Sequence, residues 1–206
     1  MAAPYSPANR AEDWVIRVNL MDMANPGSFK SSPTLASGDA KVSKDGGALA
    51  NLNTLPAVDP AASAGVKITL SATEMTADNV SVQLIDQTNP KEWADLAFTI
   101  VTSGTGAYNP PNKGEAFITY IALTNNSAVG SYKAGPTIAA GDFKVDIDGG
   151  GFTNLATLPS VEPAASIWVK ITLSTSEMNG DVILVQCIDQ TDPKEWADYA
   201  FGIQTT

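Results

Sequence analysis

Asp86, Glu92 and Asp95 gather around Trp93, and Asp189, Glu195 and Asp198 gather in the same way around Trp196. Two carboxyls facing one cleft are the equipment of a glycosidase. Here each trio sits in a connection between strand-like runs, beside Lys91 or Lys194, where turn and edge hydrogen bonding accounts for it. Asp146-Ile147-Asp148-Gly149-Gly150-Gly151 opens like a calcium loop, with Gly151 at the place of the sharp turn. The last position of such a loop calls for a bidentate Glu, and Thr157 stands there. A plain β-turn explains the stretch. The chain has no histidine, which removes the commonest general base and the commonest metal ligand together. Its one cysteine, Cys187, excludes an intrachain disulfide and a Cys-rich zinc site. These residues lead to no catalytic, metal or cofactor site.

The matched trios belong to a larger repetition. Residues 5–103 and 108–206 align at an offset of 103 without a gap, and about half the positions are identical. Tyr5 meets Tyr108, Leu55-Pro56 meets Leu158-Pro159, and Lys91-Glu92-Trp93 meets Lys194-Glu195-Trp196. This period exceeds the ~20–50 residues of a solenoid repeat and equals one small domain. The expected organisation is copy 1 over residues 1–103, a linker over 104–111 and copy 2 over 112–206. Ser103-Gly104-Thr105-Gly106 is flexible in composition, and Pro110-Pro111 stiffens the end of the connection.

Both copies read as strands. Trp14, Ile16, Val18 and Leu20 fall on one face of an alternating run. Val66–Leu70 and Val80–Leu84 alternate as well, and Leu96, Phe98 and Ile100 share a face. Lys44-Asp45-Gly46-Gly47 and Asp148-Gly149-Gly150-Gly151 read as hairpin turns. A single turn at Ser71-Ala72-Thr73-Glu74-Met75 carries the chain between sheets. Some seven short strands per copy give an all-β fold class: two tandem immunoglobulin-like β-sandwich domains. The expected core is Trp14, Ile68, Leu70, Val82 and Phe98 in copy 1, and Phe117, Ile171, Leu173, Val185 and Phe201 in copy 2. Cys187 aligns with Leu84 and reads as a buried, inert thiol.

Charge narrows the partners. Copy 1 carries 11 acids against 7 bases and copy 2 carries 11 against 5, for a net charge of −10. With no basic run, neither nucleic acid nor an anionic membrane is an expected partner. No apolar run approaches the ~18 residues of a membrane span. The opening MAAPYSPANR lacks the features of a secretory signal, so synthesis in the cytoplasm is expected.

Three groups of residues are candidates for contact. Trp93 and Trp196 serve either as platforms for stacking on a sugar or as plugs closing one end of a core. The second reading is preferred, because the following strand turns its apolar side chains inward. Ile167-Trp168 replaces Ala64-Gly65 just before a strand, placing bulk at a domain edge or adding to the core. Tyr5 and Pro7 belong to an extended, proline-rich arm that either frays or reaches a neighbouring subunit.

Gly38-Asp39-Ala40-Lys41-Val42-Ser43-Lys44-Asp45-Gly46-Gly47, then Asn51-Leu52, then Leu70-Ser71-Ala72-Thr73-Glu74-Met75 form a distinctive combination. It resembles the immunoglobulin-like modules of tailed-bacteriophage virion proteins, in which such a hairpin and corner are followed by an Asp-Gln-Thr turn. That turn is Asp86-Gln87-Thr88 here, and again Asp189-Gln190-Thr191. The second copy departs at Asp146-Ile147-Asp148 and at Glu177-Met178-Asn179-Gly180 while keeping the turn residues. The resemblance implies a structural virion protein, foremost a decoration or cement protein on the head surface. A neck, collar or tail component is the alternative within that class, and a glycan-binding adhesion module is the alternative outside it. The implied partners are the major capsid protein or neck proteins and sister copies, with a weak host-surface glycan contact under the adhesion reading. The implied location is the virion.

Overall fold

Alternation of apolar and polar residues makes one face of a strand buried and the other wet. Trp14–Asn19, which forms β1, follows this rule, with Trp14, Ile16 and Val18 turned inward. The computed structural model describes residues 8–102 and 111–206, and it is all-β, with no helix among the described residues. The chain divides into two compact units, Met1–Tyr108 and Asn109–Thr206. All of the expected linker except Pro111 lies outside the described residues.

In the first unit β1 is followed by β2 (Ala40–Lys44), β3 (Ala50–Asn51), β4 (Ala57–Val58), β5 (Gly65–Leu70), β6 (Asn79–Leu84) and β7 (Leu96–Val101). They form two antiparallel sheets, in the orders β1-β5-β4 and β3-β2-β6-β7. The second unit repeats this plan with β8 (Phe117–Ala122), β9 (Phe143–Ile147), β10 (Thr153–Asn154), β11 (Ser160–Val161), β12 (Trp168–Leu173), β13 (Val182–Cys187) and β14 (Tyr199–Gln204). Its sheets are β8-β12-β11 and β10-β9-β13-β14. In each unit the two sheets share one core. Val66, Ile68 and Leu70 of one sheet pack with Val82 and Leu84 of the other, and Val169, Ile171 and Leu173 pack with Val185 and Cys187.

The hairpins form where their turn chemistry demands. Asp45 and Gly46 both have positive φ, 48° and 76°, as do Asp148 and Gly149 at 51° and 77°. Two left-handed residues in succession match the right-handed twist of the flanking strands, which is why Asp-Gly suits such turns. At the Ser71–Met75 corner the chain makes one turn, closed by the Met75 amide donating to the Ser71 carbonyl at 3.0 Å.

Four expected core residues are only partly buried: Trp14 and Phe98, and their counterparts Phe117 and Phe201. All four face inward. They lie on β1, β7, β8 and β14, the outermost strands on one side of each sandwich, where no described strand closes the gap between the sheets. Facing the core and being sealed within it are separate conditions.

The two cores differ by a compensated exchange. In the first unit Ala40 stands opposite Leu84 across β2 and β6. In the second, Phe143 stands opposite Cys187 across β9 and β13. A small and a large side chain have traded strands, so much of the volume change is compensated. Cys187 is the small member of its pair and is fully buried. Cys187→Leu is expected to cost about 1–3 kcal/mol by overpacking against Phe143. Phe143→Ala is expected to cost about 3–5 kcal/mol by leaving a cavity. The double variant recreates the first unit's pair and should fall short of the sum by more than ~1 kcal/mol. Urea unfolding of the four proteins measures this coupling, and strict additivity would refute it.

Candidate functional site

Asp86 organises the loop between β6 and β7. Its carboxylate accepts from the Thr88 amide at 2.8 Å, the Thr88 hydroxyl at 2.7 Å, the Glu92 amide at 2.6 Å and the Trp93 amide at 3.1 Å. Asp189 takes the same partners in the second unit: Thr191 twice, Glu195 and Trp196. Burial pushes both carboxyls up, but these hydrogen bonds outweigh it and hold each below the ordinary Asp value. The loop is thereby wound around its tryptophan. The Trp93 indole donates to the Thr34 carbonyl at 3.1 Å, and that of Trp196 donates to the Thr137 carbonyl at 3.5 Å. Glu92 accepts from the Thr34 amide and hydroxyl, and Glu195 from those of Thr137. Backbone hydrogen bonding to Thr137, ahead of its other contacts, lowers the Glu195 carboxyl. Asp95 and Asp198 pair with Lys91 and Lys194, each at 2.6 Å. The trios are thus engaged in holding their loops.

Several other acids have similar work. Asp45 receives the amides of Asp78 and Asn79, and Asp148 those of Asp181 and Val182, tying each hairpin to the next long strand. Asp146 accepts from the Gly151 amide at 2.8 Å. The carboxylates of the calcium-like stretch are thus engaged by backbone donors. Among the described residues no cluster of three metal-ligating side chains forms. Glu74 gathers the amides of Asn53 and Ser71 and the Ser71 hydroxyl, and Glu177 does the same with Ala156 and Ser174. Asp78 pairs with Arg10, and Asp181 with Lys113 at 2.8 Å.

Trp93 and Trp196 are both fully buried, so neither ring has a face to offer a sugar. This removes the platform alternative and agrees with the preferred plug reading; in the second unit Phe143 packs on Trp196 with ring centroids 6.0 Å apart. Ile167 and Trp168 are also buried, and neither belongs to the second unit's main core cluster. Trp168 begins β12 on the face opposite Val169 and Ile171, and among the described residues its indole nitrogen has no hydrogen-bond partner. Tyr5 and Pro7 lie outside the described residues.

An apolar opening in the first unit is a feature that sequence reasoning missed. A cavity of about 530 Å³ runs between β1 and β7, lined by Ala8, Trp14, Ile16, Val18, Leu96 and Phe98 among others. The corresponding side of the second unit presents Phe117 and Ile121 partly buried, with Tyr199 and Phe201 in ring contact at 5.9 Å. Alternation placed these residues inward but carried no signal that a covering strand was lacking. The arrangement offers apolar contact and no reactive group.

No family model matches the chain, no curated protein matches it, and no solved structure matches it.

Asp86→Asn and Asp189→Asn are each expected to cost roughly 2–4 kcal/mol, since charged acceptors are lost while buried donors remain. A carboxyl lowered by folding contributes stability in full above its unfolded-state value of ~3.9 and loses it as pH falls through the folded-state value. Stability measured from pH 7 down to strong acid should therefore fall less steeply in either variant than in the parent. Burial also pushes the Cys187 thiol up to about 12. A thiol reagent should label it only as fast as the second unit opens, and at once in denaturant. Rapid labelling of the native protein would contradict that placement.

Proposed function

We propose that this chain is a structural protein of a tailed-bacteriophage particle, placed as a decoration or cement protein on the head surface. Each unit is read as an immunoglobulin-like sandwich. The strand orders β1-β5-β4 and β3-β2-β6-β7 correspond to the B-E-D and C′-C-F-G sheets of that fold. The observation that carries the functional reading is the use of the shared acids. Asp45, Glu74, Asp86 and Glu92, with their second-unit counterparts, all bind backbone amides of their own unit. What the duplication preserves is therefore loop architecture, which suits a rigid module presented twice. Two linked modules contacting a repeating surface act at high effective concentration, so weak individual contacts suffice. The residues that resemble phage modules, from the Gly38–Gly47 hairpin to the Asp-Gln-Thr turn, supply the kind of particle. Partners on this reading are the major capsid protein and sister copies. A neck, collar or tail position uses the same modules and is the second reading within the class. The burial of Trp93 and Trp196 counts against a glycan-binding module, and the engaged carboxylates count against an enzyme.

Mass spectrometry of purified particles should detect the chain in many copies, and labelled particles imaged by electron microscopy should show it over the head. Label confined to the neck or tail would move the protein to the second reading. Particles lacking the chain altogether would end the proposal.

A further inference from the structure

We propose that Asn179-Gly180 is a site of spontaneous covalent modification, where the asparagine loses its side-chain nitrogen to backbone attack, and that the product loosens the second unit. Nothing in this chemistry depends on the phage particle. An asparagine side chain is attacked by the backbone nitrogen of the next residue, so the next residue governs the rate. The other asparagines precede proline, which carries no N–H, or a residue whose Cβ crowds the approach. Asn179 alone precedes glycine, which has no Cβ and the widest choice of backbone angles.

The fold fixes the glycine and leaves the pair open to reaction. A Cβ added at Gly180 would stand 2.5 Å from Cγ2 of Ile147 and 2.8 Å from Oδ2 of Asp148. The first unit has Lys44, Thr76 and Ala77 at the corresponding places, with the Lys44 ammonium donating to the Thr76 hydroxyl at 3.2 Å. In the second unit Ile147, Asn179 and Gly180 replace all three, and the glycine makes room for the isoleucine. Asn179 is exposed, and among the described residues the Gly180 amide donates to no acceptor. That nitrogen attacks Cγ of Asn179. The N–Cγ bond forms, the Cγ–Nδ2 bond breaks, and Nδ2 leaves as ammonia with the proton from the Gly180 amide. Water then opens the five-membered imide at one of its two carbonyls. Cleavage at Cγ gives an ordinary aspartate. Cleavage at the backbone carbonyl gives isoaspartate, whose main chain is longer by one carbon–carbon bond, about 1.5 Å. One water is consumed, one ammonia is released, and nothing is oxidised or reduced.

The corner has no slack for an extra backbone atom. The Met178 carbonyl accepts from the Gly114 amide at 2.9 Å, and the Gly180 carbonyl accepts from the Thr205 hydroxyl. Asp181, next in the chain, gives its amide to Asp148 at 2.9 Å. Residues ahead of β8 and residues after β14 are thus fastened on either side of Asn179. Isoaspartate here releases one fastening or the other, so the second unit opens more often. The first unit, with Thr76-Ala77, is spared.

The intact chain, its Asn179→Thr variant and the intact chain unfolded in guanidinium are held at mildly alkaline pH and sampled over days. Digestion after lysine isolates residues 171–194, and mass spectrometry follows each asparagine separately. In the native chain Asn179 should convert at least about tenfold faster than any other asparagine, a barrier lower by ~1.4 kcal/mol. Its rate should also lie within about tenfold of the rate in the unfolded chain. Anion exchange then separates converted from unconverted molecules of one sample by their added negative charge, so the comparison does not rely on the variant. Cys187 in the converted fraction should react with a thiol reagent at least about threefold faster than in the unconverted fraction. Asn179→Thr should show neither the conversion nor the faster labelling. A native chain that stays intact at Asn179 while the unfolded chain reacts overturns the proposal, as does earlier conversion of another asparagine. Equal labelling of Cys187 in the two fractions overturns the loosening.

Discussion

A single buried carboxylate holds four donors at the end of each sandwich, and the loop geometry of each unit depends on it. Asp86 and Asp189 bind backbone amides on both sides of a tight turn. An ionised acceptor is worth more per hydrogen bond than a neutral one and costs more to leave unpartnered when buried. The turn is consequently fixed, the following tryptophan is driven inward, and its indole reaches the long connection after the first strand. Glu92 and Glu195 grip the same connection from the other side. A loop of some twenty residues, from Leu20 to Asp39, is thereby ordered with no helix or extended strand of its own, only isolated bridges such as Met21 to Phe29 and Asp22 to Trp93.

Polar contacts and apolar packing divide the work between ends and middle. The strands carry the hydrophobic core, in which Val66, Ile68, Leu70 and their counterparts are completely buried. Carboxylates stitch the corners: Glu74 at one crossing and Asp45 at the hairpin. Both sets recur in the second unit, so the two copies agree most where the backbone turns.

Much of this could be read from the residues. Period-two alternation located the long strands, and Asp-Gly pairs located the hairpins, because both signals are local. The preferred plug reading of Trp93 and Trp196 agrees with their burial, but the partners that hold them were less legible. The Trp93 indole donates to the Thr34 carbonyl, 59 positions away, and no local pattern encodes that partner. The partial exposure of Trp14 and Phe98 was hidden for a related reason. Alternation reports which face a side chain occupies, whereas sealing depends on which strands lie next to one another. Cys187 was placed correctly, but its reason lay in Phe143 on another strand.

Paired exchanges between the two units bear on how such a chain avoids misassembly. On the outer face of the four-stranded sheet, Ser81 and Thr99 of the first unit are hydrogen-bonded across β6 and β7 at 3.1 Å. Their counterparts are Leu184 and Gly202, where the leucine lies over the glycine. Inside the sheet, Ala40 and Leu84 give way to Phe143 and Cys187. Tandem domains of related sequence can exchange strands while folding. A hybrid sheet joining β2 to β13 would set Ala40 against Cys187 and leave a hole, while β9 against β6 would force Phe143 onto Leu84. On the outside, Leu184 would meet Thr99, and Ser81 would meet no hydroxyl at all. Each unit thus carries a private complementarity that its sibling cannot satisfy, and divergence between the copies becomes a proofreading code for strand pairing.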